Sequence, residues 1–337
     1  MIKKILLSLI ALVILFILIF LFYDGGKDYS EIKINTGHGP EDLALDLSDE
    51  NNPRIFISCS KRKGEDRYGK IQALDINSSE VYDMTLIDYN VEAFRPHGIY
   101  FSAEDSLHFL YVISHEKASE SEYLEDKIIK FEVSDRQLRY ESTIASSIDN
   151  SLMDRTNDLH VTENGFVFSS NPTDVGFSEV PANVVVTRPD GTSDISTSGL
   201  LYPNGVYVYG NNLYVATAQG NILYKYDLDE NGIAIGGSKK EVAEIMGGDN
   251  ITRNGDLLVI GHHPNIYKFV THSMWDFDSP SGVTTYNMKT GESKMIYGPS
   301  AKDISASSTG IIYDDHLYIG QVFENFIVKV PLTDLNN

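Results

Sequence analysis

The sequence predicts an all-β fold, a six-bladed β-propeller, preceded by an N-terminal transmembrane helix. Three observations lead there. Short β-rich runs come in pairs at a regular spacing, no convincing amphipathic helix interrupts them, and the chain opens with an apolar stretch. Of 337 residues, 27 are Lys or Arg and 48 are Asp or Glu, a formal charge of −21. Phosphate backbones would repel such a chain, which excludes nucleic-acid binding, and anionic lipid headgroups would offer it little. A hydrophobic fraction of 42% with 22% charged residues is that of a folded protein. The single cysteine cannot close an internal disulfide, so stability must come from packing or bound ions.

Met1-Ile2-Lys3-Lys4 leads into apolar residues from Ile5 to about Tyr23, broken only by Ser8. About 20 apolar residues cross a bilayer core. A cleaved signal peptide has a shorter apolar region and a small-residue exit, whereas this run leaves through Phe20-Leu21-Phe22-Tyr23-Asp24. Lys3 and Lys4 favour a cytoplasmic short end. Residues 1–27 are therefore expected to be a signal anchor held in the membrane. Residues 28–337 are then a single propeller domain on the extracytoplasmic side, secreted if the segment is cleaved.

The paired runs follow. Arg54–Ser58 precedes Lys70–Asp75, Leu107–Ser114 precedes Lys127–Val133, and Gly165–Phe168 precedes Ala182–Thr187. Asn212–Ala216 precedes Ile222–Asp227, Gly255–Val259 precedes Gly282–Asn287 after a longer insertion, and His316–Gly320 precedes Phe326–Val330. First runs thus begin at 54, 107, 165, 212, 255 and 316. Each unit has room for four strands, the content of a propeller blade, and six pairs make six blades.

Residues just upstream of each first run should reach the propeller axis. They are Glu41-Asp42, Pro96-His97-Gly98-Ile99, Asn157-Asp158, Asn204-Gly205, Asp249-Asn250 and Ser307-Ser308-Thr309. Singly, such pairs read as turn residues. Recurring at one phase of successive repeats, they read as a shared site. Carboxylates and side-chain amides without Cys–His spacing favour calcium over zinc or copper. Neighbouring side chains of an extended chain point to opposite sides, so adjacent pairs could serve two depths of the axis. No Gly-x-Ser-x-Gly nucleophile elbow is present.

In order, Glu41-Asp42-Leu43, Pro96-His97-Gly98-Ile99, Ser114-His115, Asn157-Asp158, Asn204-Gly205, Asp249-Asn250-Ile251 and His263-Pro264-Asn265 resemble the paraoxonase/arylesterase family. The resemblance runs from about residue 37 to 333. It implies a six-bladed propeller that holds two calcium ions and hydrolyses lactones and aryl esters. It implies a catalytic calcium on Glu41, Asn157, Asn204, Asp249 and Asn250, and a structural calcium on Asp42, Asp158 and the carbonyl of Ile99. His97 and His115 match a histidine dyad, and His263 matches a histidine lining the active site. Calcium would then polarise the substrate carbonyl, His97 would activate water, and His115 would orient His97.

Two other readings stay open: a non-enzymatic ligand-binding propeller, and a sugar-lactonase of gluconolactonase type on the same scaffold. The sequence also departs from the family. The disulfide that joins the chain ends in animal members cannot form, and Cys59 is expected to be a buried small hydrophobe. His262 stands where those members have a free cysteine, which leaves the roles of His262 and His263 open. Asn77-Ser78-Ser79 is the accessible glycosylation sequon, whereas Asn250 would be buried. Phe94, Phe177, Trp275, Phe277 and Phe323 either line an apolar pocket or pack the blades.

Overall fold

The structure, a computed structural model, describes residues 8–15, 29–63, 69–104, 107–117, 124–172, 180–300 and 304–335. Six sheets follow one another along the chain. Five have four strands, and the second has five because Thr85–Ile87 pairs parallel to Gln137–Ser146. The six expected blades are present, but the expected first strands are the second strand of each blade. The segments read as upstream loops are themselves innermost strands: Pro40–Asp46, Pro96–Glu104, Leu159–Thr162, Pro203–Tyr209, Gly248–Asn254 and Ser307–Tyr313. Their apolar alternation fails at the start, where polar side chains turn to the axis, so they did not read as strands.

Each second strand is covered on both faces by neighbouring strands and blades, which is why Arg54–Ser60 and Leu257–His262 are almost continuously buried. Between the first two blades lie Phe56, Ile71, Phe94, Leu110 and Phe131. Burying such side chains is worth about 1.5–3 kcal/mol each. Phe94 therefore packs blades and does not line a pocket, with its ring edge-on to Tyr89 and Phe131. Phe177 lies outside the described residues. Cys59 is buried as expected, and burial pushes its thiol up to about 12. Asn77 is exposed in a turn, and its amide donates to the Asn51 carbonyl.

The ring closes without a disulfide. Ile32–Asn35 is the outer strand of the last blade, antiparallel to Phe326–Pro331 with Ile34 opposite Ile327. Tyr29 stacks on Tyr297 at 4.5 Å beside this join.

Two expectations are corrected. Among the described residues no helix is long and apolar enough to cross a membrane. Residues 8–15 form a helix of eight residues, or about 12 Å at 1.5 Å per residue, against a bilayer core of about 30 Å. The remainder of 1–27 lies outside the described residues. The single-pass anchor, and the extracytoplasmic placement built on it, are not supported. Second, the fifth-blade insertion contains a helix, Ile266–Trp275, capped by the Asn265 side chain, which accepts from the Lys268 N–H. Ten residues are too few for the helical period to stand out in sequence.

Candidate metal centre and active site

The site is built at the beginnings of the inner strands. Pairing slips between Pro40 and Asp42, Pro96 and Ile99, Pro203 and Val206, Gly248 and Ile251, and Ser307 and Thr309. Such a bulge leaves residues unpaired and re-aims their side chains. The residues released this way include Glu41, His97, Asn204, Asp249 and Asn250. Glycines let the blades approach there. A Cβ on Gly98 would sit 2.4 Å from the Asn157 carbonyl oxygen, and one on Gly205 would sit 2.3 Å from that of Asp249.

Five side chains present a buried oxygen that makes no hydrogen bond: Glu41 Oε2, Asn157 Oδ1, Asn204 Oδ1, Asp249 Oδ1 and Asn250 Oδ1. Buried oxygens without a hydrogen bond are costly, and five brought together from four of the six blades call for a shared partner. These are the same five residues that the resemblance assigns to one calcium. Their links run around the axis. The Asn250 amide approaches Glu41 Oε1 at 3.4 Å, and Asn204 hydrogen-bonds Asp249. Burial and the charge of Glu41 push Asp249 well above the usual carboxylate range. Burial also pushes Glu41 up, but His97 and Arg62 outweigh it and hold Glu41 at about 2. A cation would relieve the repulsion between the two carboxylates. Among the described residues no group of three or more His, Cys, Asp or Glu forms a metal site; three of the five oxygens here come from amides, a donor set suited to a hard cation.

Asp42 and Asp158 are separate from those five. Asp42 accepts from the Leu43 and Ile99 N–H groups, and Asp158 from those of Leu159 and Val206, at 2.7–2.9 Å. Each carboxylate thus ties its own blade to the next one. Burial and the neighbouring carboxylates push both well above the usual range. Every oxygen keeps a lone pair beyond its single N–H. They border a cavity of about 290 Å³ with Ile99, His160, Tyr207 and Ile251, which none of the five oxygen-bearing residues lines.

A proton chain adjoins the five oxygens. His97 Nε2 lies 3.1 Å from Glu41 Oε1, His97 Nδ1 lies 2.6 Å from His115 Nε2, and His115 Nδ1 lies 2.7 Å from Asp126 Oδ1. Asp126 also accepts from the Thr156 N–H, and His115 helps hold it below its usual range against burial. An ionised Asp126 requires a proton on His115 Nδ1. His115 Nε2 is then an acceptor and requires a proton on His97 Nδ1. Two protons then serve three contacts, so the 3.1 Å contact of His97 Nε2 with Glu41 Oε1 holds a proton only when the pair carries one more. Burial lowers His97 to about 4, so it is neutral near pH 7.

His263 and His262 separate cleanly. His263 Nε2 lies 2.9 Å from Asp249 Oδ2, its ring stacks on Phe269 at 4.2 Å, and burial lowers it to about 3. It thus holds the Asp249 carboxylate. His262 spends both nitrogens inside its own blade, on the Met246 carbonyl and the Thr284 hydroxyl. Phe269 and Phe323, 5.7 Å apart, stand at this mouth, whereas Trp275 and Phe277 are exposed beyond it.

Two residues of this neighbourhood escape sequence reasoning. Asp126 is the cross-strand partner of His115, a register that no sequence pattern reveals. Arg62 reaches Glu41 Oε2 at 3.3 Å from a loop whose only signal is its basic character.

No family model matches the chain, and no curated protein matches it in sequence. Solved structures match it in fold. A protein assigned as a gluconolactonase is 15% identical with TM-score 0.59, over 90% of this chain and 92% of the other. Luciferin-regenerating enzyme is 10% identical with TM-score 0.59, over 90% and 95%. Regucalcin, a calcium-binding protein of Agrobacterium tumefaciens, is 11% identical with TM-score 0.57, over 88% and 93%. At such identities the likeness shows the fold alone. The chain is a six-bladed β-propeller, and these likenesses do not single out the paraoxonase family.

Proposed function

We propose that this protein is a calcium-dependent lactonase, with sugar lactones ahead of aryl esters as substrates. The observation that carries the reading is the cluster of five buried oxygens without a hydrogen bond, beside a histidine pair that runs from the buried Asp126 to Glu41. Glu41, Asn157, Asn204, Asp249 and Asn250 would hold one calcium, and Asp42, Asp158 and the Ile99 carbonyl a second, structural one. The first ion, when bound, supplies Lewis-acid polarisation of the substrate carbonyl. His97 Nε2 takes the proton of the attacking water. His115 passes the resulting charge toward Asp126, whose carboxylate offsets it. His263 keeps Asp249 oriented.

Sugar lactones come first because a protein assigned as a gluconolactonase shares the fold, and nothing comparable supports the aryl-ester specificity. A purely ligand-binding propeller would have no use for a base whose tautomer is set by a buried carboxylate.

The test is hydrolysis of D-glucono-1,4-lactone and phenyl acetate by the full chain, with calcium and with a chelator. Lactone turnover that the chelator abolishes and calcium restores is expected, with phenyl acetate slower. Turnover indifferent to the chelator, or none at all, rejects the reading.

A further inference from the structure

Arg62 is a cation that the proposed reaction does not use. It follows the second strand of the first blade, Arg54–Ser60, with its side chain 24% exposed and Nη2 at 3.3 Å from Glu41 Oε2. Its neighbour Lys63 is fully engaged. Lys63 Nζ donates to the His272 carbonyl at 2.8 Å, pairs with Asp276, and lies 4.5 Å from the centre of the Phe323 ring. Arg62 differs. Its Nε and Nη2 are both buried, and neither makes a hydrogen bond.

Those two nitrogens form one edge of the guanidinium, the edge whose parallel N–H groups match the two oxygens of a carboxylate. Glu41 does not satisfy it, because the contact is close enough for an ion pair but lacks hydrogen-bond geometry. Glu41 is also claimed by the cation site. With a divalent ion bound, Glu41 and Asp249 would both be ionised and their two charges neutralised by it. Arg62 is then the surplus positive charge at the mouth, on a chain whose overall charge is −21. Glu41 belongs to the cation site and also lies against Arg62, so one small molecule can span both.

We infer that Arg62 anchors a carboxylate of the substrate, so that the site takes lactones bearing an acid group outside the scissile ring. The inference rests on the lactonase reading for the ring and on Arg62 for the acid.

D-glucono-1,4-lactone and D-glucaro-1,4-lactone share the ring and differ at C6, an alcohol in one and a carboxylate in the other. With calcium present, kcat/KM for both is measured by proton release on wild type, Arg62→Gln and Arg62→Lys, each checked for folding by circular dichroism. Wild type is expected to prefer the glucaro lactone. Arg62→Gln should lower that preference by about 10- to 100-fold, chiefly through KM, the scale of a lost bidentate charge-assisted pair. Arg62→Lys keeps the charge without the fork and should recover part of it. An unchanged preference, or equal losses on both lactones, overturns the carboxylate assignment while leaving the lactonase reading intact. If wild type hydrolyses neither lactone, the lactonase reading fails, and isothermal titration of the glucaro lactone decides for Arg62. Binding that weakens by a similar factor in Arg62→Gln sustains the assignment; no binding, or binding indifferent to the substitution, overturns it.

Discussion

His97 is available as a base because of a carboxylate it does not touch. Asp126 places the proton of His115, His115 places that of His97, and His97 Nε2 is left at the contact with Glu41. A base must be unprotonated to act, so activity should rise with pH through about 4 and be full at neutrality. Asp126→Asn removes the charge that offsets the protonated pair. The acid limb should then move to lower pH, because imidazolium loses a stabilising neighbour, and the plateau should fall toward the ~10²–10⁴-fold that general-base catalysis supplies. A pH–rate profile checks this; a profile that is merely scaled down without moving would make Asp126 a structural residue only. Both histidines were legible in sequence as members of short motifs. Asp126 was not, because its role depends on lying opposite His115 across a hairpin.

Inner strands that start on bulges are the devices that build the site. Glycine follows the functional residue in two of them, since adjacent strands come closer there than a side chain permits. Gly98→Ala would press a methyl group against the Asn157 carbonyl. We expect a loss of about 1–3 kcal/mol, the usual cost of overpacking, together with weaker calcium binding, as His97 and Asn157 are displaced. Denaturant melts and calcium titration measure the two effects. Gly236→Ala, where an added Cβ meets nothing within 4 Å, should change neither. The second and third strands were legible because they are covered on both faces and read as apolar runs. The helix Ile266–Trp275 and the innermost strands were not. One is too short to show its period, and the others break theirs where they do their work.

Around the ring, burial lowers His97, His160, His262 and His263. His160 lies between Tyr100 and Tyr207, with ring centres 4.8 and 4.2 Å away, and burial lowers it to about 3. An unfolded chain protonates histidine near about pH 6.5. Between these values the unfolded state binds the more protons, so this contribution to stability is present above about 6.5 and is lost as pH falls toward 3. Asp42, Asp158 and Asp249, pushed up by burial and nearby carboxylates, act in the opposite sense. The informative quantity is therefore the difference between wild type and His160→Phe. Thermal melts from pH 4 to 8 should show the variant losing less stability on acidification. Parallel curves would mean that His160 accepts its proton without unfolding.

The sequence by itself determined the number of blades, the oxygen-rich phase of each repeat and the histidines among them, because these follow from local period and residue chemistry. The apolar run led to an expected membrane span, whereas among the described residues no helix is long and apolar enough to cross a membrane. Tertiary structure decided which groups lack a partner. Five oxygens and one guanidinium edge are seen to lack a hydrogen bond only once the blades enclose them. It also decided between His262 and His263, adjacent in sequence yet turned respectively into the blade and toward Asp249. The physical reason is that pairing and burial are properties of neighbours, and around a closed ring those neighbours come from every part of the chain.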